Sequence, residues 1–118
     1  MKLMIVDDHP GMRKMIREIA AAPGDVVCEC SSGTEAVQRA AEFAPDWVTM
    51  DLRMPGIGGF EATSAIIRQQ PTTTVVIVSS YNFQALRRIA TDAGAAAFVT
   101  KENLHELKDL LRARSSGS

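Results

Sequence analysis

The sequence is poor in cysteine and aromatic residues, and its apolar runs are short. Two cysteines, one tryptophan and one tyrosine occur among the 118 residues. Apolar runs such as residues 75–78 are far too short to cross a bilayer, which takes roughly 20 apolar residues in a helix. The first residues enter a strand-like run directly, without the longer apolar segment and cleavage site of a signal peptide. We therefore expect a cytoplasmic protein.

An excess of charge of either sign is also missing. Thirteen lysines and arginines nearly balance fourteen aspartates and glutamates, which leaves a net charge of −1. That balance argues against wholesale electrostatic binding to DNA, RNA or an anionic membrane. The hydrophobic content of 46% is enough for a real core in one domain, so we do not expect a disordered chain.

The two cysteines, Cys28 and Cys30, lie two positions apart in a strand-like run. Neighbours on one face of a strand have poor geometry for a disulfide. Only His9 and His105 could join them as soft metal ligands, which is a thin set. We expect reduced strand cysteines.

Five short strand-like runs alternate with segments of helical periodicity. The runs cover residues 3–6, 26–30, 47–50, 75–78 and 95–99. Alternation at this spacing predicts an α/β fold, a three-layer αβα sandwich with a five-stranded parallel sheet and a doubly wound (βα)5 topology.

Two of the predicted helices have apolar stripes that we expect to face the core. The stripe of the first helix comprises Met12, Met15, Ile16, Ile19 and Ala20, and that of the fourth comprises Phe83, Leu86, Ile89, Ala90 and Ala93. Pro10 suits the start of the first helix, and Gly94 suits the end of the fourth. Ser32 or Thr34 could cap the second helix.

Polar residues follow four of the five strands. They are Asp7 and Asp8 after the first strand, Asp51 after the third, Ser79 after the fourth and Lys101 after the fifth. In an open parallel sheet, ligands bind outside the carboxyl ends of the strands, so we expect these five residues to converge. Each residue alone has an ordinary explanation as a turn former, loop hydroxyl or solvated charge. The joint placement favours a site.

Carboxylates that meet at one edge repel one another unless a cation is held between them. Carboxylate and carbonyl oxygens suit Mg²⁺ (or Mn²⁺), which keeps water ligands that a phosphate can replace. A lysine and a hydroxyl at the same edge can hold the remaining oxygens of a phosphoryl group. The nucleophile would be a carboxylate, and its product an acyl phosphate.

Four segments, "IVDDHP", "MDLRMPGIGGFEA", "VVIVSS" and "AAAFVTKENL", carry a specific resemblance in their order and spacing. The chain resembles the receiver domain of bacterial two-component response regulators over residues 2–113. The resemblance implies a flavodoxin-like sheet with strand order 2-1-3-4-5. We assign the receiver domain to residues 1–114, and the serine-rich residues 115–118 to the start of a linker or a tail added for expression.

The resemblance also implies roles for the acidic residues. Asp51 would be the phosphoacceptor. Asp8, Asp51 and the backbone carbonyl of Arg53 would bind Mg²⁺ directly, and Asp7 would hold it mainly through water. His9 follows the acidic pair, but we do not expect it to be a ligand.

Further residues would sense or tune the phosphoryl group. Lys101 would pair with its oxygens, and Ser79 would turn its hydroxyl toward it on activation. Phe98 falls at the aromatic switch position, although a plain core aromatic is the simpler interpretation from pattern alone. Arg53 and Tyr81 occupy positions that tune how fast phosphate is lost, unless they are simply exposed loop side chains.

Three departures from the family pattern stand out. Gly58 replaces the usual Asp or Asn, which could loosen the loop after Asp51. Glu102 replaces a Pro that often follows a cis bond, so the geometry of the Lys101–Glu102 bond stays open. Phe98 lacks the hydroxyl of the commoner Tyr, so a switch there would work by packing.

The resemblance implies a phosphorylation-dependent signalling switch, in which a sensor histidine kinase or phosphotransfer protein phosphorylates Asp51. The switch would change the face formed by the fourth helix, the fifth strand and the fifth helix, which could form a homodimer. We expect the input domain of a transcriptional regulator that reaches DNA only through an effector domain outside this chain. It would not be an enzyme beyond its own phosphoryl transfer and dephosphorylation.

Three alternatives remain open from the sequence. One is a phosphorylation-independent or stand-alone interaction module. Another is a flavin-binding protein, although Asp7 and Asp8 would repel the flavin phosphate. A third is a phosphatase with an aspartate nucleophile, but Arg53 stands where its second acid normally lies.

Overall fold

A five-stranded parallel sheet forms the centre of the computed structural model, which describes the backbone of residues 1–117 and the side chains of residues 1–113. The strands are β1 (Lys2–Val6), β2 (Val26–Cys30), β3 (Trp47–Asp51), β4 (Thr74–Ser79) and β5 (Ala97–Thr100). The helices are α1 (Pro10–Ala20), α2 (Gly33–Phe43), α3 (Gly59–Gln69), α4 (Gln84–Ala93) and α5 (His105–Gly117). The strand order is β2-β1-β3-β4-β5, and every pair is parallel, so the predicted fold is confirmed. Residue 118 of the predicted tail lies outside the described residues, and the domain boundary at 114 stays a prediction.

The side chains of each strand alternate between two apolar layers. One layer contains Met4, Val48 and Ile77 and is covered by α2, α3 and α4. The other contains Ile5 and Val76 and is covered by α1 and α5. Each of these fully buried side chains contributes roughly 1.5–3 kcal/mol by leaving water. This two-sided burial makes the sheet a rigid platform whose strand ends carry the polar residues.

Helix ends mostly follow the predicted signals. Pro10 is the first residue of α1, and the Ser32 hydroxyl accepts a hydrogen bond from the N–H of Glu35 at 3.1 Å, so Ser32 rather than Thr34 caps α2. Gly94 ends α4 with a left-handed φ of 104°. All described peptide bonds are trans, including Lys101–Glu102.

Strand β5 begins at Ala97, not at the predicted residue 95. The N–H of Ala95 closes the end of α4 by donating to Ala90 O, and Ala96 donates to Val75 O. Residues 95–97 are all alanine, so the sequence does not mark where the turn ends and the strand begins.

The predicted stripes of α1 and α4 are too wide. Met15 is 48% exposed, and Ile89 is 45% exposed. Each lies one position before a buried residue, Ile16 or Ala90, and is therefore rotated by about 100° away from the core. Phe83 is 62% exposed because it precedes α4 as its N-cap residue.

Cys28 and Cys30 are both free, as predicted, and both are buried. Among the described residues, no helix is long and apolar enough to span a membrane.

Candidate functional site

The predicted polar residues lie at the carboxyl edge of the sheet, and three of them are in direct contact. Lys101 directly follows β5, and its ammonium nitrogen lies 3.1 Å from Asp7 Oδ2 and 3.3 Å from Asp51 Oδ1. Asp51 is the last residue of β3, and Asp7 directly follows β1. In the sheet, β3 lies beside β1 and is separated from β5 by β4 alone, so residues 94 positions apart in the sequence form one charged cluster around Asp51.

Burial governs the charges in this cluster. The Asp7 side chain is fully buried, and Asp51 is 6% exposed. Burial raises the pKa of Asp51, the charge of Asp7 raises it further, and Lys101 opposes both effects. Burial lowers the pKa of Lys101, but Asp51 and Asp7 outweigh it, so the net pKa shift is upward. Lys101 therefore stays cationic.

The acidic pair, Asp7 and Asp8, offers oxygen ligands for a cation. Asp7 Oδ2 and Asp8 Oδ1 are buried and have charged neighbours but no hydrogen bond within the described part of the chain. One ligand atom from each of Asp7, Asp8 and His9 lies within 4.8 Å of the others. Carboxylate oxygens are the donor type that Mg²⁺ and Mn²⁺ prefer, so the residues fit a hard divalent cation.

His9 lies at the edge of the acidic pair. Its Nδ1 is 3.0 Å from Asp8 Oδ1 and 3.5 Å from Asp7 Oδ1, and its side chain is 75% exposed. Its backbone N–H donates to Asp7 Oδ1 at 2.9 Å. The backbone contact fixes the Asp7 carboxylate, whereas a ligand role for the ring stays untested.

A cavity of about 170 Å³ opens next to the charged cluster. Its lining includes His9, Asp51, Leu52, Arg53, Ser79, Ser80, Tyr81 and Lys101. The Ser79 hydroxyl oxygen accepts a hydrogen bond from the N–H of Tyr81 at 3.0 Å, which leaves its own hydrogen free to be donated. A carboxylate, an ammonium and a hydroxyl thus line one small cavity.

Arg53 and Tyr81 form one wall of this cavity. The Arg53 guanidinium carbon lies 4.4 Å from the centroid of the Tyr81 ring, and Tyr81 stacks on Phe83 at 6.1 Å. Both side chains are exposed, as the simpler interpretation expects, and they also contact each other at the edge of the cavity; a tuning role stays a prediction.

Phe98 is half-buried against the core, and the Arg87 guanidinium covers its ring at 4.8 Å from the centroid. Its position on β5 connects the sheet to α4, but a switching role stays a prediction.

Glycines let the loop after Asp51 pack closely. A Cβ on Gly59 would collide with the Asp51 carbonyl oxygen, and one on Gly33 would lie 2.6 Å from the Ile57 carbonyl oxygen. The N–H of Gly58 donates to the Glu61 carboxylate at 3.1 Å. Close packing and this hydrogen bond therefore hold the loop in place, including at Gly58, where the residue departs from the family pattern.

Sequence reasoning missed Leu52 and Ser80, which line the cavity, and it missed a polar contact made by Arg13. Its guanidinium donates to the carbonyl oxygen of Asp7 at 2.7 Å. An arginine in the first turn of the helix after an acidic strand end is a weak signal, because most such side chains extend into solvent.

This chain is similar to several known proteins. The sequence model of the response regulator receiver domain matches residues 3–112. The response regulator GacA of Pseudomonas aeruginosa is 36% identical over 116 residues, which cover 94% of this chain and 53% of GacA. The chemotaxis protein CheY of Thermotoga maritima is 37% identical over 101 residues, which cover 85% of this chain and 84% of CheY.

A crystal structure of a LuxR-family two-component response regulator from an Aurantimonas species is similar to this chain throughout. Its TM-score is 0.87 at 36% identity, and the match covers 98% of this chain and 85% of that chain. This chain spans about half the length of GacA.

Proposed function

We propose, from the premise that this chain belongs to the family of response regulator receiver domains, that Asp51 accepts a phosphoryl group from a sensor histidine kinase or a phosphotransfer protein. The observation that carries the proposal is the contact of Lys101 with both Asp7 and Asp51 beside a cavity of about 170 Å³. A receiver needs an acid, a cation site and a fixed positive charge at one point. These residues supply all three at the carboxyl edge of the sheet.

The transfer would proceed by attack of an Asp51 carboxylate oxygen on the phosphorus of a phosphohistidine. The O–P bond forms as the P–N bond breaks, and the electron pair stays on the imidazole nitrogen. Lys101 would pair with one phosphoryl oxygen, and the Ser79 hydroxyl would donate to another.

The acidic residues would hold Mg²⁺ or Mn²⁺. Asp8, Asp51 and the Arg53 carbonyl are the proposed direct ligands, with Asp7 acting through water. When bound, the cation supplies positive charge against the negative charge of the transferring group. Because Asp7 and Asp51 already share Lys101, the new dianion would redistribute these contacts.

The output would follow from that redistribution. Ser79 ends β4 and Phe98 lies on β5, so movement of the Ser79 hydroxyl could be accompanied by a turn of the Phe98 ring. The face formed by α4, β5 and α5 would then change partners, including by homodimerisation. We propose the input role in a transcriptional regulator, with DNA contacted by an effector domain elsewhere. A phosphorylation-independent interaction module is the second candidate.

Intact-mass spectrometry after incubation with acetyl phosphate tests the proposal. We expect one added phosphoryl group that requires both Mg²⁺ and Asp51. Asp51→Ala should abolish it, and Asp92→Ala, at an exposed aspartate of α4, should not. Labelling of Asp51→Ala at an unchanged rate would place the nucleophile elsewhere.

Absence of a wild-type adduct would be followed by NMR titration with beryllofluoride. Binding at the site would indicate a short-lived acyl phosphate, because the analogue does not hydrolyse in the same way. No binding would favour the phosphorylation-independent module.

A further inference from the structure

Arg13 contacts the acidic pair from the first turn of α1. Its Nη1 donates to the backbone carbonyl of Asp7 at 2.7 Å, and its Nε donates to Glu29 Oε1 at 2.9 Å. Its side chain is only 17% exposed. Two charge-assisted hydrogen bonds to acceptors on different elements hold the guanidinium in one orientation.

Glu29 is itself fixed on both oxygens. While Oε1 accepts from Arg13, Oε2 accepts from Arg17 Nη1 at 3.0 Å. The Arg17 side chain is 52% exposed, so its ion pair with Glu29 lies largely in solvent. Glu29 lies on β2, so this network ties α1 to the edge strand beside β1.

Three polar groups of Asp7 are held by hydrogen bonds. Its N–H donates to Cys30 O at 3.1 Å, its carbonyl accepts from Arg13, and its Oδ1 accepts from His9 N. The Asp7 carbonyl belongs to the peptide that leads into Asp8. The direction of that peptide therefore determines where the Asp8 carboxylate lies relative to Asp7.

We infer that Arg13 is a positioning residue that fixes the acidic pair for a divalent cation. This inference rests on the proposed function, because it assumes that the acidic pair binds the cation. If Arg13 served only to form an ion pair, its contact with Glu29 would be sufficient. Its Nη1 also donates to the backbone carbonyl of Asp7, next to the proposed cation ligands. Arg13 would raise cation affinity although its own charge is positive.

The direction of the change in Mg²⁺ affinity on removing Arg13 therefore tests the inference. If Arg13 acted only through its charge, removing it would relieve repulsion and strengthen Mg²⁺ binding. If Arg13 positions the acidic pair, removing it weakens binding, by roughly 10–100-fold for partners of this kind. The two explanations predict opposite changes.

The experiment is an amide NMR titration of the full chain with Mg²⁺ alone. We expect Arg13→Met to weaken binding about tenfold or more, and Arg13→Lys, which keeps one donor group, to lose less. Arg17→Met is the matched control, because it removes an equal charge that contacts the same Glu29. We expect it to leave affinity unchanged or slightly higher. Raising the salt concentration should shrink any charge effect but preserve the positioning effect.

Each outcome decides something separate. Wild-type binding with equal or tighter binding by folded Arg13→Met would overturn the inference and leave the proposed function intact. A wild-type chain that binds no Mg²⁺ would overturn the metal part of the proposed function and this inference with it. If circular dichroism shows that Arg13→Met does not fold, the two single variants Arg13→Lys and Glu29→Gln are measured instead. Wild-type Mg²⁺ affinity in both of them would also overturn the inference.

Discussion

Lys101 lies 3.3 Å from Oδ1 of Asp51, through an ammonium group that also contacts Asp7. The carboxylate proposed to react is therefore already paired before any phosphoryl group arrives. Burial and Asp7 raise the pKa of Asp51, and Lys101 acts against both. The lysine thus favours the ionised form of Asp51, against the net upward shift of its pKa, and is placed to contact a phosphoryl group on that carboxylate.

Lys101→Ala should slow labelling of Asp51 by acetyl phosphate by roughly 100-fold, in the range seen when one oxyanion donor is removed. Without the ammonium, the pKa of Asp51 rises further and the phosphoryl oxygens lose a partner. Intact-mass spectrometry over time measures the rate. Lys108→Ala, at an exposed lysine of α5, is the control. Equal rates for wild type and Lys101→Ala would exclude this role.

The fold and most of the candidate site could be predicted from the sequence. The carboxyl ends of the strands in a parallel sheet lie at one edge. Polar residues that follow several strand-like runs therefore predict a site at that edge, even before any side-chain contact is known. Asp7, Asp51 and Lys101 meet for this reason. The family resemblance supplied the strand order.

What the sequence did not predict depends on side-chain orientation and local packing. The Arg13 guanidinium that donates to Asp7 at 2.7 Å also donates to Glu29, and no periodic pattern encodes such contacts between separate segments. The exposure of Phe83 follows from the point where α4 begins. In the sequence, an apolar residue one position before a helix matches the helical spacing as well as a residue inside the helix does.

Gly59→Ala should destabilise the fold by about 2 kcal/mol, since overpacking against backbone cannot be relieved by a rotamer change. A Cβ there would collide with the Asp51 carbonyl oxygen, so α3 or the loop must move. Urea unfolding gives the free energy of unfolding. Gly11→Ala is the matched control in α1, where a Cβ meets nothing within 4 Å. Equal stabilities for the two variants would contradict the close packing.

Tyr81→Ala should shorten the lifetime of the phosphorylated form severalfold. The Tyr81 ring and the Arg53 guanidinium above it form one wall of the cavity beside Asp51. Removing the ring opens that wall to water and frees Arg53. Decay of the adduct after removal of acetyl phosphate measures the lifetime by mass spectrometry. Tyr81→Phe, which keeps the ring, should stay near wild type, and a short lifetime in that variant would assign the effect to the hydroxyl instead.

Stability should fall at alkaline pH because of Cys30. Burial, with the nearby Cys28 as the next contribution, raises the pKa of the Cys30 thiol to about 12 from its ordinary value of 9.0. Above pH 9 the unfolded chain releases this proton while the folded chain keeps it. The stabilisation is fully present below pH 9 and is lost as pH rises toward 12, by roughly 1 kcal/mol at pH 10 for this one group.

Urea unfolding of wild type and Cys30→Ala from pH 7 to pH 10 isolates that contribution. Cys30→Ala is expected to be less stable at pH 7, because it leaves a gap in the core, but to lose less stability as pH rises. Cys28→Ala makes a similar gap and should keep most of the wild-type slope, since the largest cause of the raised pKa is burial. Identical slopes for wild type and Cys30→Ala would mean that the folded state accommodates the thiolate, and the β2 core would then be accessible to water at high pH.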